Sequence, residues 1–143
     1  MTDFSTFSKD DYENLAEFRY ALRCFLHFSE NAAETAGLTM QQHQVLLFII
    51  GYPGREQVTI GELAGRLQIR HHSAVGLVNR LEEQGLVERI HNNEDRRQVF
   101  ISLTEKGVGV LKGLASMHRE ELRHLGPQLC TMLEQITSLA DGK

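Results

Sequence analysis

Residues 59–107 read TIGELAGRLQIRHHSAVGLVNRLEEQGLVERIHNNEDRRQVFISLTEKG, and their hydrophobic period switches from helical to strand-like part-way through. Thr59 and Glu62 stand at the spacing of a capping box, in which each side chain satisfies an otherwise orphaned backbone N–H at a helix start. Ile60, Leu63, Ala64 and Leu67 then recur at three- and four-residue steps, which predicts a short helix over 60–67. After the turn Gln68-Ile69-Arg70 the same period returns at Ala74, Leu77, Val78 and Leu81, and Gly85 closes a helix predicted from about His71 to Gln84. From Leu86 the period falls to two. Residues 86–91 and 98–103 alternate as strands about a charged tip, Asn92 to Arg97, so a β-hairpin is expected. Thr104 is placed to cap a further helix, although Glu105 comes too early for a full box.

Upstream, Thr39 and Gln42 repeat the capping-box spacing before a helix at Met40–Ile50. Leu46, Leu47, Ile49 and Ile50 make that helix strongly apolar and hence central, and Gly51-Tyr52-Pro53-Gly54 stops it. From Tyr12 to about Ala36 there is neither Pro nor Gly, and Leu15, Phe18, Leu22, Phe25 and Ala32 mark a long amphipathic helix ended by Gly37. Phe4, Leu26 and Phe28 widen its apolar surface beyond one stripe. Downstream, Leu111, Ala115, His118, Leu122 and Leu125, continued by Leu129, Met132, Ile136 and Leu139, follow the seam pattern of packed helices, which Gly126-Pro127 is expected to divide in two. Both ends therefore carry more apolar surface than one chain needs, as in a homodimer.

The chain has 143 residues and 41% hydrophobic content, which fits one domain. No run approaches the roughly 18 apolar residues of a membrane span, and the start MTDFSTFSKDDYENL lacks the basic and apolar regions of a secretory signal. A cytoplasmic protein with no membrane partner is expected. Cys24 and Cys130 form no metal-type spacing and no disulfide framework, in keeping with a reducing compartment. The net charge of −4 is unevenly spread: residues 55–112 hold nine basic and eight acidic side chains, and the two ends hold the acidic excess.

The order helix, short helix, turn, helix, ribbon is one that presents a single helix to a DNA major groove with a charged tip beside it. Glu62-Leu63-Ala64, Val78-Asn79-Arg80-Leu81-Glu82, Gly85-Leu86-Val87-Glu88-Arg89, Asp95-Arg96-Arg97 and Leu103-Thr104-Glu105-Lys106-Gly107, in this order and spacing, resemble the MarR family of winged helix-turn-helix regulators. The resemblance implies a mainly α fold with a small β-hairpin wing. It implies a single domain over 1–143, with a DNA-binding lobe at about 38–104 and dimerisation helices at about 10–36 and 105–140. It also implies a homodimeric repressor of a pseudo-palindromic operator in double-stranded DNA, released by a small aromatic or phenolic effector. The buried side of the recognition helix leaves His71, His72, Ser73, Gly76, Asn79 and Arg80 as candidate DNA contacts. By resemblance Arg97 enters a minor groove, Asp95 holds the wing arginine, and Arg96 contacts phosphate or solvent. Gly76 departs from the longer hydroxyl-bearing residues common at this point in the family.

Other classes are weighed on the same residues. The seven histidines yield no convergent set: His71 and His72 point in different directions, and Cys24 and His27 lie one turn apart without a third ligand. Hence no enzyme, cofactor or metal is expected. Some relatives of the family sense organic hydroperoxides through a cysteine in the first long helix, where Cys24 stands, but Phe25, Leu26 and Phe28 point to an inert apolar setting. Phe25, Phe28, His43 and Leu47 are candidate lining for an effector crevice; ordinary core packing is the alternative for each. A winged-helix protein-interaction module without DNA binding is the remaining class, against which Arg80 and the Asp95-Arg96-Arg97 tip argue.

Overall fold

A computed structural model describes residues 6–91 and 98–138 of the chain. In chain order they form α1 (Lys9–Thr35), α2 (Met40–Ile50), β1 (Gln57–Val58), α3 (Ile60–Leu67), α4 (His71–Glu83), β2 (Val87–His91), β3 (Val99–Leu103) and α5 (Glu105–Ser138). The fold is mainly α with a small antiparallel sheet, as the sequence pattern predicts. The residues divide into two compact units, Ala32–Ala115 and the pair of segments up to Asn31 and from Ser116.

In the unit Ala32–Ala115 the central element is α2. Val45, Leu46 and Ile49 are wholly buried, and Leu63 of α3, Val78 and Leu81 of α4, and Val58 and Ile101 of the sheet close around them. Each such side chain contributes roughly 1.5–3 kcal/mol through removal of apolar surface from water. The end of α1 (Ala32, Ala33) and the start of α5 (Leu111, Leu114) join the same core, so this unit is wider than residues 38–104. Both expected capping boxes form. Gln42 N donates to Thr39 Oγ1 at 3.1 Å and Thr39 N to Gln42 Oε1 at 3.0 Å, while Glu62 N donates to Thr59 Oγ1 at 3.2 Å and Thr59 N to Glu62 Oε1 at 2.9 Å.

The sheet has strand order β1-β3-β2. Register runs from Val87 opposite Leu103 to His91 opposite Val99, so the two strands pair as the alternation predicts, and the tip Asn92 to Arg97 lies outside the described residues. The strand β1 is an addition: Val58 pairs with Ile101 and Gln57 with Ser102. Two residues are too few to show a period, and the pairing exists only because the turn after α2 brings them to β3.

The exits of α4 and β3 meet at one place. Thr104 N donates to Leu86 O at 3.0 Å, Thr104 Oγ1 to Gly85 O at 2.6 Å, and Lys106 Nζ to Gln84 O at 3.0 Å. Gly107 N returns a bond to Thr104 Oγ1 at 3.1 Å, so Thr104 does cap α5, with a glycine where a capping box has Glu or Gln. That glycine is required: a Cβ on Gly107 would collide with the Leu86 carbonyl oxygen and lie 3.3 Å from Leu103 Cγ.

In the other unit, α1 starts at Lys9, earlier than the apolar pattern shows, because Ser8 and Asp11 cap it reciprocally: Asp11 N donates to Ser8 Oγ at 3.2 Å and Ser8 N to Asp11 Oδ2 at 2.8 Å. On α5, His118 Nε2 lies 2.8 Å from Ser29 Oγ of α1, and the imidazole meets Phe25 and Phe28 edge-on at 5.8 and 5.4 Å. Leu15, Leu22, Leu26, Met117, Leu122 and Leu133 are exposed. Phe4 and Leu139 lie outside the described residues.

Gly126-Pro127 does not divide the C-terminal helix, contrary to expectation. Pro127 sits inside a continuous α5. A proline there removes one backbone bond, to the carbonyl of Arg123, and both residues are exposed, so solvent serves the freed carbonyl.

Two glycines of α5 should respond to alanine with opposite signs. Gly107→Ala is expected to destabilise the protein by about 2–3 kcal/mol, because the backbone must move off Leu86. Gly113→Ala, with nothing within 4 Å of its Cβ position, is expected to stabilise it by about 0.5–1 kcal/mol. Denaturant midpoints of the two variants check both.

Candidate nucleic-acid interface

One side of α4 is committed to the core through Ala74, Leu77, Val78 and Leu81, and helical geometry turns the rest outward. His71, His72, Ser73, Asn79 and Arg80 are exposed and Gly76 is half-buried, so the structure brings these six candidates onto one helix surface. α2 and α3 begin with side-chain caps, but α4 begins at Arg70 without one. Ser73 N donates to Arg70 O at 3.1 Å, which leaves the N–H groups of His71 and His72 for an external acceptor, at the end of the helix where the dipole favours anions. No acidic residue lies in that first turn. Arg80 has no side-chain partner among the described residues.

Asn79 is not free in the way sequence reading assumed. Arg89, on β2, donates to Asn79 Oδ1 through Nη2 at 2.7 Å and pairs with Glu82 through Nη1. The guanidinium fork thus ties the recognition helix to the first wing strand and leaves the Asn79 amide NH2 as its remaining donor. Arg89 and Glu82 were missed as contributors because their meeting depends on the packing of β2 against α4, which no local spacing reveals. Asp95, Arg96 and Arg97 lie outside the described residues.

A second polar node stands under the lobe. Glu62 closes the α3 capping box and also accepts from Tyr52 Oη at 3.0 Å and from Arg55. Arg55 lies over the Tyr52 ring at 4.5 Å, and Arg66 reaches the same ring at 5.1 Å. Partial burial alone would push the Glu62 carboxyl up, but hydrogen bonds from Thr59 N–H, Arg55 and Tyr52, with the Arg55 charge, outweigh it and hold the carboxyl below its ordinary value.

The family model described as MarR family matches residues 36–98, which span α2, β1, α3, α4 and β2 and stop just before β3. The chain belongs to the MarR family. The organic hydroperoxide resistance transcriptional regulator of Bacillus subtilis is 28% identical over 79% of this chain and 88% of its own length. The transcriptional activatory protein BadR of Rhodopseudomonas palustris is 31% identical over 80% of this chain and 66% of its own. Among solved structures, a mutant of S. aureus MepR bound to an oligodeoxyribonucleotide superposes with a TM-score of 0.68 at 21% identity, covering 89% of this chain and 95% of that one. These MarR-family relatives are transcriptional regulators rather than enzymes.

The remaining candidates of this MarR-family chain fall apart into two sets. Phe25 and Phe28 are half-buried and meet around His118, whereas His43 and Leu47 lie on α2 in the other unit, His43 buried and Leu47 44% exposed. Core packing accounts for His43 but not for Leu47. Cys24 is exposed, not enclosed by apolar neighbours as its sequence context implied. Helical rotation puts Phe25 and Phe28 on a different face and leaves Cys24 in a shallow concavity with Tyr20, Arg23 and His27, where Leu26 is the one apolar flank of the three that stays beside it. Interaction with Cys24 pushes the neighbouring Tyr20 phenol up. Among the described residues no group of His, Cys, Asp and Glu is arranged to hold a metal ion, and no helix is long and apolar enough to cross a membrane.

Because the folded carboxyl of Glu62 is the more acidic one, its contribution is present above the unfolded carboxylate range and is lost as pH falls through the folded value. Glu62→Gln is expected to cost about 1 kcal/mol at pH 7, after allowance for solvent screening, and less at pH 3. Paired urea titrations at the two pH values check the sign. Arg89→Ala is expected to lower stability by under about 1 kcal/mol, since the pair is partly exposed, while weakening any DNA complex by several-fold; an unchanged affinity would show that helix and wing act independently.

Proposed function

We propose that the chain acts as a homodimer that inserts two α4 helices into successive major grooves of a pseudo-palindromic operator, with Arg97 of each wing in a flanking minor groove. The observation that carries this reading is the outward face of α4: it presents Arg80, has no acid in its first turn and no side-chain cap, and is tied to the first wing strand by Arg89. The exposed leucines of α1 and α5 support a second copy as their cover. Operator occupancy that blocks polymerase makes repression the proposed sign, and BadR, named an activatory protein, shows that a promoter reporter must accompany binding. A small aromatic or phenolic effector would act by favouring a dimer whose α4 separation does not fit DNA. Cytoplasmic residence follows from this role.

One observation favours a second mode of control, oxidant sensing at Cys24: the thiol is exposed and shares a shallow concavity with Arg23, whose positive charge favours a thiolate. Cys24→Ser that abolishes an oxidant response while leaving basal DNA affinity intact supports it, and an intact response removes it.

The deciding experiment is selection of bound fragments from sheared DNA of the source organism, repeated with Arg97→Ala. The wild type is expected to recover a palindromic site and the variant to lose roughly 1–3 kcal/mol of affinity for it. No enrichment at low salt would instead put the protein-interaction module first.

A further inference from the structure

Beside α4 runs an open groove of about 440 Å³ whose other wall is the first turn of α2. Gln41 enters it from α2, His72, Ser73, Gly76 and Arg80 line it from α4, and Ile69 and Leu77 add an apolar strip of the kind a deoxyribose ring can lie against. Amide, imidazole, hydroxyl and guanidinium can all donate hydrogen bonds, and no carboxylate lines the groove. A base edge offers donors, acceptors and methyl groups in mixture, whereas a phosphate strand offers only acceptors and negative charge. Ser73 and Arg80 are seven residues apart, about 10 Å along the helix, so the lining follows a strand rather than enclosing one ion.

Gly76 supplies a second, independent observation. Its φ is not positive and nothing lies within 4 Å of the position a Cβ would take, so neither backbone conformation nor packing requires glycine there, and glycine weakens a helix interior. Gly65, Gly109, Gly113 and Gly126 are equally open, but they do not line this groove. At Gly76 alone among the five, a missing side chain deepens a surface that faces a candidate ligand.

We infer that this groove seats one sugar–phosphate strand of the duplex, with Gln41 as a phosphate ligand outside the helix-turn-helix and Gly76 as the clearance that admits the strand. The inference rests on the DNA-binding reading above. Gln41 fixes where the strand lies relative to α2, and Arg80 supplies the charge. Gln41 should therefore matter equally on every operator sequence, since it touches no base.

The test uses the full-length protein and its selected operator, with single phosphates replaced in turn by neutral methylphosphonates. Gln41→Ala is expected to weaken binding about five-fold, as for loss of one hydrogen bond, at unchanged salt slope. Arg80→Ala is expected to reduce that slope by about one. At one phosphate per half-site, the methylphosphonate should weaken the wild type but not Gln41→Ala. Gly76→Ala should raise Tm by about 2 °C while weakening binding, and Gly76→Val should weaken it further. Equal methylphosphonate sensitivity of wild type and Gln41→Ala at every phosphate overturns the inference and leaves DNA binding standing. So does a Gly76→Ala defect that appears only at a thymine and disappears on deoxyuridine, which would make the groove a base reader. A wild type that binds no duplex overturns both.

Discussion

The close approach of α5 to the carbonyl of Leu86 is the constraint on which the DNA lobe depends. Within four residues the chain ends α4, reverses through Gly85 at φ +75° and starts β2, and the same carbonyls receive the exit of β3 through Thr104. Only a residue without a side chain fits at position 107. The recognition helix, the wing and the first turn of α5 therefore share one hinge-free corner. The buried residue at this crossing is Leu86, whose carbonyl must find a partner; Thr104 N provides it, while Thr104 Oγ1 and Lys106 take the exposed carbonyls of Gly85 and Gln84.

Magnitudes separate what holds the lobe together from what orients it. The wholly buried side chains around α2 each contribute roughly 1.5–3 kcal/mol, whereas a partly exposed ion pair such as Arg89–Glu82 contributes about 1 kcal/mol or less. Stability thus comes from the apolar contacts, and the polar ties at Arg89 and Glu62 choose among arrangements that the core alone would tolerate. Glu62 illustrates the division: its carboxylate satisfies a backbone donor, a phenol and a guanidinium at once, so the turn after α2 is held to the start of α3 without adding to the core.

What the sequence makes legible is what is local. The capping pairs Thr39/Gln42 and Thr59/Glu62, the inward positions of α4 and the hairpin register each depend on residues within a few positions of one another, and all appear as expected. The Ser8/Asp11 cap escaped notice because Asp does not match the Glu or Gln of the familiar signature. β1 is too short to carry a period, and Pro127 was read as a breaker although an exposed helix tolerates the loss of one bond. At the candidate interface the exposed residues of α4 were legible from the helical period, but the Arg89–Asn79 bond and the position of Gln41 across a groove are tertiary facts. Cys24 shows the complementary error: neighbours in sequence are not neighbours on a helix, so apolar flanks say little about a side chain's surroundings.

The bond from Arg89 to Asn79 carries a consequence for how such a regulator can diversify. A residue on the outward face of α4 also anchors the first wing strand, so under the proposed mode of DNA binding the two halves of the interface would not evolve or transplant as modules. Grafting a foreign α4 into this scaffold would sever the anchor unless position 89 were exchanged with it, and the first steps toward a new operator would have to be compensatory pairs rather than single substitutions.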